Sequence, residues 1–178
     1  MKQLILIRHG KPEPGRDGEP DALRELTPAG RAALAAPSGF VHTFTQLAAN
    51  AAEAGFTLSP AGAPLELWTS PAVRAQQTAL EAAAALERIH QPVTAPQACE
   101  ALWEQDAQAF MAALDQSDAA TVIAVGHIPF MNHLTGWLTG ESVSFSPGAA
   151  ALILVPDLVG EGTSALISFV PGPEVEDR

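Results

Sequence analysis

The sequence predicts a doubly wound α/β fold, and three observations carry that reading. Strand-like runs alternate with helical runs along most of the chain. Of the strand-like runs, residues 3–7 carry the unbroken apolar stretch 4–7, as expected of a strand covered by helices on both faces of a parallel sheet, and residues 121–125 are strongly β-branched. Two helical runs open on Thr27-Pro28 and Ser70-Pro71, which place proline in the first turn, where its missing N–H does no harm.

Residues 3–7 form a short apolar strand closed by Gly10. Residues 11–25 hold three prolines, two glycines and many charges, and read as a loop. A helix with Thr27 as its N-cap starts at Pro28 and runs through Leu34 toward Pro37. Phe44, Leu47, Ala48 and Ala51 recur at helical spacing and predict a second helix over 41–54. A connection over 55–64 leads to a strand over 65–69, and Ser70-Pro71 opens an alanine-rich helix to residue 89. Residues 91–100 read as irregular, with a short strand near Val93. Residues 105–114 predict a helix, 121–125 a β-branched strand ending in Gly126-His127, and 128–138 a helix. Residues 149–155 and 164–170 predict a closing pair of strands, and 171–178 a frayed tail. With no internal repeat and no dividing linker, one domain over 1–178 is expected. Trp68 and Trp137 are expected in its core.

The 178 residues are 47% hydrophobic, enough for a proper core. A formal net charge of −11 argues against general binding to nucleic acid or an anionic membrane, because phosphate backbones would be repelled. An anionic substrate stays compatible, since a few arginines can dominate the field of a cleft. Cys99 is the single cysteine, so an intrachain disulfide is impossible; it reads as a small buried hydrophobe. No apolar run is long enough for a signal peptide or a membrane span, so a cytoplasmic protein is expected. His42, His90 and His133 lack metal-site spacing and read as structural or exposed.

The chemistry concentrates at three strand ends. Arg8-His9-Gly10 follows the first strand, Arg74 lies in the first turns of the helix after the second, and Gly126-His127 follows the strand over 121–125. Ligands of open α/β sheets bind outside the carboxyl ends of the strands, so all three are expected at one edge. Each feature alone is a weak signal; together they suit phosphoryl transfer. Arginine's planar fork holds two phosphate oxygens at once. A neutral imidazole can attack phosphorus, and covalent catalysis splits one hard step into two. Neighbouring arginines favour neutral His9, and His127 can donate to a phosphate oxygen as charge builds up. The scheme requires no metal and no cofactor.

These residues match a known family pattern. Ile7-Arg8-His9-Gly10 resembles the signature of the histidine phosphatase superfamily, the phosphoglycerate mutase-like proteins. Leu26-Thr27-Pro28-Ala29-Gly30 is similar to that family's leucine-threonine-x-x-glycine helix start. Ser70-Pro71-Ala72-Val73-Arg74-Ala75-Gln76-Gln77-Thr78 is similar to its second arginine motif, and Val125-Gly126-His127 to its second histidine motif. The motifs keep the family's order and span nearly the whole chain. The resemblance implies a three-layer α/β/α sandwich with a mostly parallel sheet. It makes His9 the phosphoacceptor, with Arg8, Arg74 and His127 completing the phosphate pocket. In the segment Ala98-Cys99-Glu100-Ala101-Leu102-Trp103-Glu104, Glu100 fits the family's acid position except that Ala98 stands where leucine is usual, and Glu104 is second choice.

The short stretch between Arg74 and His127 implies an open groove, as in the small SixA-type phosphohistidine phosphatases, and Gly126-His127-Ile128-Pro129-Phe130 is similar to that branch. A phosphorylated protein domain is then the expected partner. An imidazole leaving group can depart already protonated, which relaxes the need for an acid. Residues 34–64 are longer than the minimal branch requires, and a flap there would select a small phosphorylated metabolite instead, as in phosphomonoesterases of the α-ribazole or sugar phosphatase type. A mutase is disfavoured for want of an extended cover. A non-catalytic phosphate-binding module on the same fold is the competing class. Lys11, Arg16, Arg24 and Arg31 lie near the first loop and are further candidates for substrate contact. The oligomeric state does not follow from the sequence.

Overall fold

Strand β1 (Lys2–Arg8) shows why its apolar run is uninterrupted. Leu4 and Leu6 enter one apolar cluster, while Ile5 and Ile7, on the opposite face, enter another. Both faces are therefore covered, as a central strand requires. The computed structural model describes residues 1–176.

The sheet contains β1, β2 (Glu66–Thr69), β3 (Gln97–Ala98), β4 (Thr121–Gly126), β5 (Ala150–Val155) and β6 (Ala165–Val170), in the order β3-β2-β4-β1-β5-β6. The pairs β3–β2, β2–β4 and β4–β1 are parallel; β5 runs antiparallel to β1 and to β6. Helices α1 (Pro28–Ala35), α2 (His42–Glu53) and α3 (Val73–Arg88) pack on the face that carries Ile5, Ile7, Leu67 and Ile123. Helices α4 (Glu100–Glu104), α5 (Ala107–Gln116) and α6 (Phe130–Thr139) contribute to the cluster on the other face, with Leu4, Leu6, Val122 and Ala151. The result is the three-layer α/β/α sandwich with a mostly parallel sheet. Each fully buried leucine, isoleucine or phenylalanine contributes about 1.5–3 kcal/mol relative to an exposed one.

Register decides where the functional edge lies. Ile7 pairs with Val125 and Val125 with Thr69, so β1, β4 and β2 end level with one another. His9, Ser70 and His127 thus emerge side by side. The junction is tied by His9 N–H to the Gly126 carbonyl (3.0 Å) and Ser70 N–H to the Val125 carbonyl (2.9 Å).

Helix α2 lies toward the antiparallel end of the sheet. Phe40, Phe44, Leu47 and Ala51 are buried in the cluster that includes Val170, and Asn50 Nδ2 donates to Ser168 Oγ on β6 (2.7 Å).

Five expectations need correction. Trp137 is 42% exposed, because the apolar face of α6 is already supplied by Phe130, Met131, Leu134 and Leu138; Trp68 is in the core as expected. Cys99 is only half-buried, although burial still pushes its thiol pKa up. Residues 100–104 form a separate helix, which Gln105 ends in a left-handed conformation (φ 56°); Asp106 then caps α5 by accepting from Ala109 N–H. The short strand after residue 91 is at Gln97–Ala98, while Val93 makes only an isolated bridge to Leu65. In the tail, Gly172 docks instead of fraying. Its N–H donates to Ser146 Oγ (2.9 Å), and an added Cβ would lie 1.8 Å from the Pro147 carbonyl oxygen. Asp177 and Arg178, the end of the expected frayed tail, lie outside the described residues.

Candidate active site

The loop after β1 is held by the motifs quoted above. Thr27 Oγ1 accepts from Gly30 N–H (2.8 Å), and Thr27 N–H donates to the Lys11 carbonyl (2.9 Å). A Cβ at Gly30 would lie 2.8 Å from that carbonyl oxygen and 2.9 Å from Thr27 Oγ1, so only glycine lets α1 start this close to the loop. Thr78 Oγ1 accepts from Gly10 N–H (3.0 Å) and donates back to the Arg74 carbonyl (2.7 Å), joining α3 to the turn that carries His9. Gln77 Oε1 accepts from Leu26 N–H (2.8 Å). The threonine, glycine, glutamine and second threonine of these motifs are therefore scaffold for the histidine.

His9 and His127 are buried, with ring centroids 5.1 Å apart. His9 Nδ1 lies 2.7 Å from the Gly10 carbonyl, which can only accept. Nδ1 therefore carries the proton, and Nε2 of the neutral ring keeps its lone pair. Burial lowers the His9 pKa to about 3, the bond to Gly10 opposing it, and the charges of His127, Arg74 and Arg8 add to the lowering. Burial, then the charge of Arg74, lowers His127 to about 4. Both are neutral at physiological pH.

These shifts fix a sign for stability. The unfolded chain binds protons at both histidines below the ordinary value of 6.5, and the folded chain does not until about 4 and about 3. Their contribution is complete above 6.5 and is lost as pH falls toward those values, by about 1.4 kcal/mol per pH unit for each group. Urea unfolding of a His9→Asn, His127→Gln double variant is expected to show a flatter acid limb than the wild type. Parallel limbs would refute this origin.

Arg74 is buried, yet its guanidinium reaches the surface turn Asp21–Leu23. Nη1 donates to the Asp21 carbonyl (2.8 Å) and Nη2 to Asp21 Oδ2 (2.9 Å). Arg24 Nε lies 2.9 Å from Asp21 Oδ1. Partial burial alone would raise the Asp21 pKa, but the hydrogen bond and charge of Arg74, with Arg24, hold it below the ordinary carboxylate value. The Arg74 Cζ lies 5.8 Å from the centroid of the Trp103 ring, which packs in a T-shape with His127, their centroids 5.5 Å apart. Arg8 is half-buried and donates from Nη1 to the Phe145 carbonyl (2.8 Å); burial lowers its pKa. Nε of Arg8 and Nε of Arg74 are buried without a hydrogen-bond partner among the described residues.

A cleft of about 430 Å³ opens beside this group, lined by Asp21, Arg74, Trp103, Gln105, His127 and Ile128; Arg8 and His9 are not in its lining, and His9 adjoins it through the His127 ring. Gln105 Oε1 accepts from Phe130 N–H (3.1 Å), tying the end of α4 to the start of α6. The structure thus brings Arg8, His9, Arg74 and His127 to one edge. It places Glu100 and Glu104 on the exposed surface of α4, outside the cleft lining. Arg24 reaches the site only through Asp21, Arg31 pairs with Glu81 (2.9 Å), and Arg16 is exposed. Lys11 contributes its backbone carbonyl to the Thr27 cap. No residue of 34–64 lines the cleft, so that segment forms no flap over it. Sequence reasoning missed Asp21, Gln105, Ser70 and Thr78 as site residues; Ser70 and Thr78 stood inside a quoted motif, whereas Asp21 lay in a featureless polar loop. Among the described residues no cluster of three or more His, Cys, Asp or Glu side chains is placed to hold a metal, and no helix is long and apolar enough to cross a membrane.

No family model matches the chain, and no curated protein does. Solved structures do. A structure named for the phosphohistidine phosphatase SixA of Agrobacterium tumefaciens aligns over 96% of this chain and 99% of its own, at 20% identity and a TM-score of 0.64. The protein histidine phosphatase SixA in complex with tungstate aligns over 95% and 96%, at 20% identity and a TM-score of 0.62. A mycobacterial glucosyl-3-phosphoglycerate phosphatase with VO3 aligns over 97% and 100%, at 13% identity and a TM-score of 0.59. The chain therefore has the phosphoglycerate mutase-like α/β fold that these histidine phosphatase structures share.

Proposed function

We propose that the chain is a phosphatase that works through a covalent phosphohistidine on His9 and takes its phosphoryl group from a phosphohistidine in a protein. One observation carries the chemistry: the His9 ring is neutral, with its proton fixed on Nδ1 by the Gly10 carbonyl, at a sheet edge shared with Arg8, Arg74 and His127. In the first step His9 Nε2 bonds to phosphorus while the bond from phosphorus to the leaving nitrogen breaks. In the second, water bonds to phosphorus, the bond to Nε2 breaks, and orthophosphate leaves. Arg8, Arg74 and His127 stabilise the equatorial oxygens in both steps. The unpartnered Nε groups of the two arginines are donors that such oxygens would satisfy.

The protein substrate is favoured by the walls of the cleft. They come from Asp21, from Arg74 after β2 and from residues after β3 and β4, with no cover from 34–64. An already protonated imidazole leaving group needs no carboxylic acid, in keeping with the position of Glu100 and Glu104 outside the lining. The phosphohistidine phosphatase named in the similar structures supports the same reading. The test is phosphate release from a phosphohistidine-bearing protein and from a small phosphate monoester, measured side by side. Preference for the phosphoprotein is expected. Preference for the monoester would replace the substrate and retain the chemistry, and release from neither would end the enzyme reading.

In this reading Asp21 occupies the fork of Arg74 that a phosphoryl group must take. Because the Asp21 side chain is 56% exposed, the pair is screened and its competition is modest. Asp21→Asn is expected to tighten inhibition by orthophosphate about two- to fivefold, the factor corresponding to a surface ion pair. An unchanged inhibition constant would show that the carboxylate does not compete.

A further inference from the structure

We infer that Ser70 fixes the proton of His127 on Nδ1 and so makes that ring a hydrogen-bond donor toward the cleft, a positioning role that rests on the phosphatase reading of the same site.

Ser70 sits where β2 ends beside β4, and its side chain is fully buried. Its hydroxyl oxygen accepts from Ala72 N–H (3.2 Å) at the entrance to α3 and lies 2.8 Å from His127 Nε2. Two proton arrangements are conceivable. If Nε2 carried the proton, the serine oxygen would accept twice, and its own proton would be left in the dry interior with no other acceptor among the described residues. If the hydroxyl donates to the Nε2 lone pair, every group in the chain Ala72, Ser70, His127 is satisfied. The second arrangement places the single proton of the neutral ring on Nδ1. Burial and the charge of Arg74 keep that ring neutral at physiological pH, so the tautomer decides what it can do.

His127 lines the cleft, and with Nε2 turned to Ser70 the nitrogen left for a ligand is Nδ1. An Nδ1–H donates to a phosphoryl oxygen; the other tautomer would present a lone pair to an anion. Ser70 thus gives the site a donor without adding a third cation to Arg8 and Arg74. His9 is set in the complementary way: the Gly10 carbonyl takes its Nδ1–H and leaves Nε2 as the nucleophile. The two rings, 5.1 Å apart, present one lone pair and one N–H.

Nitrogen-15 spectra of the imidazole rings near neutral pH test this directly, with His127 signals identified by their loss in His127→Gln. The wild type is expected to show a protonated Nδ1 and an accepting Nε2. In Ser70→Ala the ring is expected to mix tautomers, and Ser70→Thr, which keeps the hydroxyl, to return the wild-type pattern. Turnover of Ser70→Ala is expected to fall roughly tenfold or more in kcat, with a smaller change in KM, as for loss of a transition-state donor. A wild-type spectrum with the proton on Nε2, or an unchanged tautomer in Ser70→Ala, would overturn the inference. The wild-type spectrum decides even if Ser70→Ala does not fold. An Nδ1–H ring in a wild type that releases phosphate from no substrate would overturn the phosphatase reading and uphold the proton assignment.

Discussion

Replacement of His9 by alanine is expected to lower phosphate release by roughly 10⁴-fold or more, because nothing else at the edge can form the covalent intermediate. His127 is no substitute: its Nε2 is engaged by Ser70, and Arg74 and Arg8 are permanent cations. The fold should survive, since among the described residues the His9 side chain hydrogen-bonds only to the carbonyl of its own neighbour, and the strand end is held by a backbone bond to Gly126. Phosphate release and urea unfolding, measured together, separate lost chemistry from lost structure. Brief exposure of the wild type to labelled substrate should leave an acid-labile, alkali-stable label that His9→Ala lacks. Activity within about tenfold of the wild type in a folded variant would remove His9 as the nucleophile.

Arg74→Ala is expected to lower kcat/KM by on the order of 10²- to 10³-fold. The guanidinium is buried, so its field is less screened than a surface charge, and its two Nη groups, now bonded to the carbonyl and one carboxylate oxygen of Asp21, are the donors that could hold two oxygens of a phosphoryl group. Arg74→Lys should remain poor, because an ammonium cannot reproduce that fork. A stability loss accompanies the alanine, since the Asp21–Leu23 turn buries none of its own residues and is fastened by this arginine. Substrate turnover in the folded variant, read against its unfolding midpoint, checks the assignment. A change below about threefold would place Arg74 outside the transition-state contacts.

Much of the fold was legible because it rests on local patterns. The apolar run of β1, the β-branched run of β4 and the Thr27 cap with Pro28 each have a local physical cause, and the structure reproduces all three. The short elements between β2 and β4 were less legible. Gln97–Ala98 is a strand only because β2 offers it a parallel neighbour, and α4 stops only because Gln105 turns left-handed, a conformation that glutamine's side chain does not advertise. In the site, Arg8, His9, Arg74 and His127 were legible from their places after strands. Asp21 was not, because its role depends on a loop folding back onto Arg74, 53 positions along the chain. Ser70 was visible as the residue before a helical proline; its bond to His127 needed the level strand ends that only the sheet register supplies.

The strand order has a consequence for how the molecule comes into being on the ribosome. β1 and β2 are successive strands along the chain, but β4 lies between them in the sheet. A nascent chain that has emerged only as far as residue 120 holds both strands with the place between them empty and their apolar edges unpaired. The other side of β1 waits for β5, which begins at Ala150. The sheet therefore closes late during synthesis, the behaviour expected when both partners of the first strand lie far along the chain. Until then Leu4 to Ile7, four consecutive apolar residues, are the segment most exposed to mispairing with another chain.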